Sequence, residues 1–288
     1  MDSNLVRRVG FAVVAIPLAL AVIWYGGLPL AFLLALTSGL AARELFDLAG
    51  RQGVHPARVL GFVSTASLAP ISYAALVAPD VRELVLASWP YLLALWAIGL
   101  LTWALAARSP AEKPLEAVSV TLLAVVYTGA LPAFLIGIRH LSHPERSWAG
   151  AWLVFFPLVV TWVGDTAAMF GGRTFGGAKL APTVSPGKTR SGTIAGVVGS
   201  LVVAPLFALG VFPMVGVSIP VWQLVAMAAA LSVVGQVGDL AESLFKREAG
   251  VKDSSHLIPG HGGVLDRLDS LYFVVPTAAA MYRAFGVI

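Results

Sequence analysis

The sequence predicts an all-α polytopic membrane protein with about nine transmembrane helices and a cytoplasmic N-terminus. Of its 288 residues, 58% are hydrophobic and only 12% are charged. In a water-soluble domain about a quarter of the residues are charged. Much of the surface of this protein must therefore face lipid. Apolar runs of about 20 residues, the length that a helix needs to cross a bilayer, recur along the whole chain. Lysine and arginine are unevenly distributed between the loops.

Nine apolar segments are long enough to form membrane helices. The first follows two arginines and resembles a signal peptide, but its apolar run continues beyond the candidate cleavage box at 19–21, which favours a retained anchor. The links at 26–28 and 212–219 contain glycine or proline and favour hairpins between antiparallel helices. The segments are residues 9–25, 28–48, 58–78, 84–107, 115–138, 149–171, 193–213, 220–244 and 266–286.

The basic residues orient these helices. With the N-terminus in the cytoplasm, fifteen lysines and arginines fall on the cytoplasmic side, and four fall outside: Arg82, Arg139, Arg146 and Arg283. Cytoplasmic loops of membrane proteins are enriched in positive charge. The net charge of +4 therefore reflects topology, and it does not indicate nucleic acid as a partner.

The chain is predicted to form one membrane domain with two parts. Residues 1–145 comprise five anchoring helices, and residues 146–288 hold the chemistry. The second part contains two polar segments, 171–192 and 245–269, both predicted to be cytoplasmic.

Acidic residues cluster at the predicted cytoplasmic ends of three helices. Ionisable groups at membrane depth are costly and are usually functional or paired. Residues three, four or seven positions apart share one helix face. This spacing places Lys246 on the same face as Asp239 and Glu242. The acidic residues are Asp165, Asp239, Glu242, Asp266 and Asp269.

A glycine-rich turn and many basic residues accompany the acids. The turn at 259–263 lets backbone amides approach a ligand closely. Clustered carboxylates in a chain without cysteine favour magnesium over zinc. Magnesium with converging cations suits phosphoryl or nucleotidyl transfer. The cations are Lys246, Arg247, Lys252 and Arg267 in one segment, and Arg173, Lys179, Lys188 and Arg190 in the other.

Individual residues also have structural interpretations. Basic residues at helix ends anchor topology, and Asp165 suits a hydrogen bond between helices. Asp269 suits an ion pair with Arg267 or Arg173, and His261 suits a structural hydrogen bond. The small-residue spacing of Gly192 and Gly196 indicates a helix contact, within the chain or between chains. Between 243 and 269, the density of charge and glycine favours the functional interpretation.

Residues 243–269 resemble the signature of the phosphatidate cytidylyltransferase (CDP-diacylglycerol synthase) family. That signature is S-x-x-K-R-x4-K-D-x5-P-x-H-G-G-x-x-D-R-x-D, and every fixed position is present, from Ser243 to Asp269. A second block is also similar to the family. It contains Asp165, Gly172-Arg173, Phe175-Gly176, Lys179-Leu180, Ser185-Pro186 and Lys188-Thr189.

The resemblance implies an integral membrane enzyme of phospholipid biosynthesis that joins CTP to phosphatidic acid and releases pyrophosphate. It implies a homodimer in a bacterial inner (cytoplasmic) membrane, with the active site facing the cytoplasm. Magnesium, with or without potassium, is implied between Asp239 and Asp266. The other implied catalytic residues are Lys246, Arg247, Lys252 and Arg267, and the implied substrate-binding residues are Ser185, Lys188, Thr189, Arg173, Lys179, Asp165, Asp253, Gly260, His261, Gly262, Gly263 and Asp269.

Two other functions remain open from the sequence. A transporter also has many spans and buried acids, although these acids lie at one membrane face and not at the midplane. A lipid or polyprenol kinase is likewise polytopic and metal-dependent.

Overall fold

The computed structural model describes residues 3–258, 260 and 262–288, and the described chain is largely helical. The N-terminal half contains α1 (Ser3–Tyr25), α2 (Gly27–Gly50), α3 (Arg58–Val77), α4 (Pro79–Ala107), a 3₁₀ turn (Pro110–Glu112), α5 (Pro114–Ala124), a π-helical turn (Val125–Ala130) and α6 (Leu131–His140). The C-terminal half contains α7 (Trp148–Phe175), β1 (Lys179–Ala181), β2 (Ser185–Thr189), α8 (Arg190–Leu206), a second π-helical turn (Phe207–Val211), α9 (Phe212–Met214), α10 (Val221–Glu248), α11 (Leu265–Leu268) and α12 (Leu271–Ala284).

All nine predicted apolar segments are helical, which confirms the all-α polytopic class. Seven helical stretches of the described chain are long and apolar enough to cross a membrane: Gly27–Gly50, Arg58–Val77, Pro79–Ala107, Pro114–His140, Trp148–Phe175, Arg190–Met214 and Val221–Glu248. The first predicted span contributes a shorter apolar helix, Ala15–Tyr25. The ninth is divided into α11 and α12, so the count of nine is approximate.

Small residues bring α7 and α8 into close contact. A Cβ atom on Gly171 would overlap that of Ala195, and one on Gly199 would overlap Ala167. Gly192 and Gly196 also face α7, where an added Cβ would approach Ala168. Small side chains let membrane helices approach each other closely. In this structure the predicted glycine contact lies within one chain.

An antiparallel hairpin of β1 and β2 connects α7 to α8 and is the sheet that the described residues form. The Thr189 side chain ends the hairpin and caps α8, because its hydroxyl accepts a 3.1 Å hydrogen bond from the N–H of Gly192. Threonine is favoured at this position since it satisfies an otherwise unpaired amide. The hairpin thereby places Lys188 beside the start of α8.

Candidate active site

Two cavities lined partly by charged residues contain many of the predicted site residues. The first, here the hairpin cavity, has a volume of about 520 Å³ and is lined by α7, the hairpin, α8 and α10. The second, the loop cavity, has a volume of about 500 Å³ and is lined by the segment after α10. The predicted residues that line the hairpin cavity are Asp165, Arg173, Lys179, Lys188, Thr189 and Asp239. Those that line the loop cavity are Lys252, Asp253, Gly260, Gly262 and Arg267.

An ion pair between Lys188 and Asp239 spans the hairpin cavity. Lys188 Nζ lies 2.6 Å from Asp239 Oδ2, and the two side chains are 26% and 31% exposed. The other oxygen of Asp239 accepts a long hydrogen bond of 3.3 Å from the hydroxyl of Ser243, one turn further along α10. Asp239 therefore keeps one oxygen only weakly engaged. This arrangement leaves it able to bind a further positive group.

Further charges surround that pair. Asp165 lines the same cavity from α7, and Arg173 and Lys179 also line it. Asp269 lies between α11 and α12, where its carboxylate accepts a 2.6 Å hydrogen bond from the N–H of Ser270. Asp165 and Asp239 line the same cavity, and neighbouring carboxylates repel one another unless positive charge lies between them.

A second network, centred on Lys246, is buried. Its ammonium lies 2.5 Å from Glu242 and 2.7 Å from Asp266 Oδ1. Asp266 Oδ2 accepts hydrogen bonds from the N–H of Ser254 at 2.9 Å, from its hydroxyl at 2.8 Å and from the N–H of Gly263 at 2.7 Å. Both oxygens of Asp266 are therefore paired with protein donors.

The two predicted magnesium ligands thus have different surroundings. Both oxygens of Asp266 are occupied by protein donors, so Asp266 fits a metal ion poorly in this arrangement. Asp239 fits better, because it faces a cavity and has one weakly bonded oxygen. Among the described residues, no group of three or more His, Cys, Asp or Glu side chains is placed to hold a metal. That a magnesium ion is shared by Asp239 and Asp266 stays a prediction.

Sequence reasoning missed Glu44 on α2. Its side chain is 3% exposed and accepts hydrogen bonds from the segment that contains Asp266. The donors are the hydroxyls of Ser254 and Ser255 and the N–H groups of Val264 and Leu265. The sequence does show Glu44 as an acid inside an apolar span, but the predicted role of that span is membrane anchoring.

Other predicted residues lie outside the two cavities. Arg247 is exposed and donates to the carbonyls of Val184 and Val251, which ties α10 to the hairpin and to the next loop. Ser185 pairs with Ala181 in the hairpin. Gly263 is buried beneath Glu44. The predicted His261 lies outside the described residues.

Comparison with known proteins supplies the chemical context. Residues 6–285 match the sequence model described as the Cytidylyltransferase family. The chain is 43% identical over 146 residues to the phosphatidate cytidylyltransferase of Haemophilus influenzae, which covers 50% of each chain. It is 42% identical over 154 residues to that of Bacillus subtilis, 54% of each. For Staphylococcus saprophyticus the identity is 43% over 155 residues, 54% of this chain and 55% of the relative. The chain spans about half the length of the curated relatives it matches.

Proposed function

The chain belongs to the cytidylyltransferase family, and on that premise we propose that it is a phosphatidate cytidylyltransferase. The reaction converts CTP and phosphatidic acid into CDP-diacylglycerol and pyrophosphate, a step of phospholipid biosynthesis. Relatives from Haemophilus influenzae and Bacillus subtilis carry the name of this activity. The observation that carries the proposal is the Lys188–Asp239 pair, which faces a cavity lined by further cations.

In the proposed reaction, a phosphate oxygen of phosphatidic acid attacks the α-phosphorus of CTP. A new P–O bond forms, the bond from the α-phosphorus to the bridging oxygen breaks, and pyrophosphate leaves with that oxygen. A phosphate monoester is already anionic near neutral pH, so the reaction needs no strong general base. The barrier comes mainly from bringing anions together, and fixed positive charge lowers that barrier.

CTP is proposed to bind in the hairpin cavity. Lys188, Lys179 and Arg173 surround this cavity and supply positive charge for a triphosphate. The first turn of α8 also lines it, through Gly192 and Thr193, and the start of a helix favours anions. A cavity of about 520 Å³ lies within the range of small-molecule sites, roughly 300–1,000 Å³.

The loop cavity is proposed to bind phosphate groups through Lys252 and Arg267, both exposed at its surface. Lys246 takes a different role from the one that the resemblance implies. It is buried and already paired with Glu242 and Asp266. We therefore assign it to holding Asp266 and the adjoining segment in place.

Magnesium is proposed as the cofactor, with Asp239 as the residue that would hold it. Magnesium in enzymes is usually bound by one or two carboxylates together with substrate phosphates and water, which suits a cavity with one available carboxylate. When bound, it would neutralise charge on phosphate oxygens. Beside it, Lys188, which is paired with Asp239, would position the nucleotide.

The protein is an integral membrane protein on the strength of its apolar helices. We propose the bacterial inner membrane as its location, with both cavities on the cytoplasmic side. The excess of lysine and arginine in the loops assigned to that side supports this orientation. A homodimer is the proposed assembly.

Analysis of lipid products tests the proposed function. Purified protein in vesicles that contain phosphatidic acid receives CTP and magnesium, and mass spectrometry follows the lipids. The expected result is CDP-diacylglycerol and pyrophosphate in equal amounts, with no product when diacylglycerol replaces phosphatidic acid. A phosphorylated lipid without a cytidylyl group would indicate a lipid kinase. Solute movement without pyrophosphate release would indicate a transporter.

A further inference from the structure

We propose that Glu44 is a positioning residue that holds the segment before α11 in place for catalysis. Glu44 lies in the half of the chain whose helices resemble membrane anchors, and it lines neither cavity. The effect on catalysis that we infer for Glu44 rests on the proposed function. The Glu44 clamp, as we define it, comprises Glu44, Ser254, Ser255, Val264 and Leu265.

Every acceptor position of the Glu44 carboxylate faces this segment. Oε1 accepts from the hydroxyl of Ser255 at 2.7 Å and from the N–H of Val264 at 3.0 Å. Oε2 accepts from the N–H of Leu265 at 2.8 Å and lies 2.9 Å from the hydroxyl of Ser254. A buried carboxylate is stable only when its oxygens are hydrogen-bonded. The hydroxyl of Ser255 and the two N–H groups satisfy that need, the Ser254 hydroxyl is a further donor within reach, and these bonds join residues more than 200 positions apart.

The clamp continues into the buried Lys246 network. The Ser254 hydroxyl lies 2.9 Å from Glu44 and 2.8 Å from Asp266, and its single proton serves one carboxylate at a time. The N–H of Ser254 donates to Asp266 in either case. Asp266 in turn pairs with Lys246 on α10. A continuous chain of hydrogen bonds and ion pairs therefore runs from α2 to α10.

Gly263 shows how closely the clamp is packed. A Cβ atom added at this position would overlap the Ser254 hydroxyl and the Glu44 carboxylate. Position 263 therefore requires glycine because of Glu44. It is a fixed position of the signature, and the clamp accounts for its residue type physically.

The clamp acts at the edge of the loop cavity. Leu265, whose N–H donates to Glu44, lies two residues before Arg267, which lines that cavity. Ser254 lies next to Asp253, which also lines it. Reacting groups must be held within a fraction of an ångström, and a displacement of about 1 Å can lower a rate about 100-fold. Loss of the Glu44 carboxylate is therefore expected to reduce turnover although Glu44 touches no substrate.

The variants Glu44→Gln and Glu44→Asp test the inference, with Asp47→Asn as a matched control. Glutamine places an NH₂ group against donors, whereas aspartate keeps the charge but shortens the side chain. Asp47 lies on the same helix and forms an exposed ion pair with Arg58. Amide hydrogen exchange over residues 254–265 reports on the segment, and steady-state kinetics with CTP and phosphatidic acid report on turnover.

For Glu44→Gln we expect faster exchange in that segment and a kcat about 10- to 100-fold lower, with a smaller change in KM for CTP. Glu44→Asp should recover part of the exchange protection and part of kcat, and the control Asp47→Asn should behave as wild type. Wild-type exchange, or faster exchange with wild-type kcat, overturns the inference. If Glu44→Gln does not fold, Ser255→Ala, which removes one donor to Glu44, tests the inference by the same measurements of amide exchange and kcat. An inactive wild-type protein would refute the proposed function, while exchange would still show whether Glu44 orders the segment.

Discussion

Lys246 and Asp266 form an ion pair of 2.7 Å between α10 and the start of α11, and their side chains are only 9% and 4% exposed. The same ammonium contacts Glu242. Two acids therefore share one lysine in a buried site. The predicted site residues therefore divide between this buried network and an open cavity, where Asp239 and Lys188 meet.

Asp266→Asn should destabilise the protein. The substitution removes one partner of a buried pair, and such losses cost about 3–5 kcal/mol. The free energy of unfolding in detergent micelles measures the effect. Asp47→Asn, which removes an exposed pair with Arg58, is the control and should change that free energy by less than about 1 kcal/mol. Equal stability of Asp266→Asn and wild type would contradict the buried pair.

Asp239→Asn should weaken the binding of magnesium in the hairpin cavity. If Asp239 holds the ion, the magnesium concentration that gives half-maximal rate should rise at least about tenfold, because even outer-shell changes cost that much. Titration of magnesium at saturating CTP measures it.

Asp266→Asn provides the comparison for that titration. With Asp266 engaged by Lys246, Ser254 and Gly263, its substitution should lower the rate but leave the magnesium dependence close to wild type. A shift as large as that of Asp239→Asn would instead support a magnesium ion shared by the two carboxylates.

Lys188→Ala should weaken nucleotide binding. Lys188 is the residue of β2 whose ammonium reaches Asp239 across the proposed CTP cavity, and hydrogen bonds to charged groups contribute about 1.5–3 kcal/mol. We expect KM for CTP to rise roughly 10- to 100-fold, as that range of energies implies. Lys113→Ala is the control, because Lys113 forms an exposed pair with Glu116. If only KM for the lipid changed, the hairpin would belong to the headgroup site.

The helices could be predicted from the sequence because a bilayer imposes length and apolarity on each crossing. Segments that met both conditions became helices. The ninth span is less predictable, since three charged residues, Asp266, Arg267 and Asp269, and the break before Leu271 interrupt an otherwise apolar run. The hairpin was not predicted, because five residues of β2 carry no extended apolar alternation.

The sequence predicts which residues form the candidate site, but it does not predict which of them pair with one another. The cost of burying charge identified Asp239 and Asp266 as functional or paired. Spacing along the chain does not tell whether a carboxylate meets a metal ion or a lysine, and only the fold brings Lys246 to Asp266. Glu44 stands out locally as an acid within an apolar span, but its partners lie more than 200 residues away, so no local pattern predicts what it binds.

Gly171→Ala should destabilise the contact between α7 and α8, and Ala195→Gly should restore it. A methyl group at 171 would overlap the Cβ of Ala195, and overpacking of this kind costs about 1–3 kcal/mol. In the double variant the overlap is absent, so the free energy of unfolding should return most of the way towards wild type. Because the two residues are in direct contact, their effects should be strongly non-additive. Additive losses in the double variant would show that α7 and α8 do not meet at these positions.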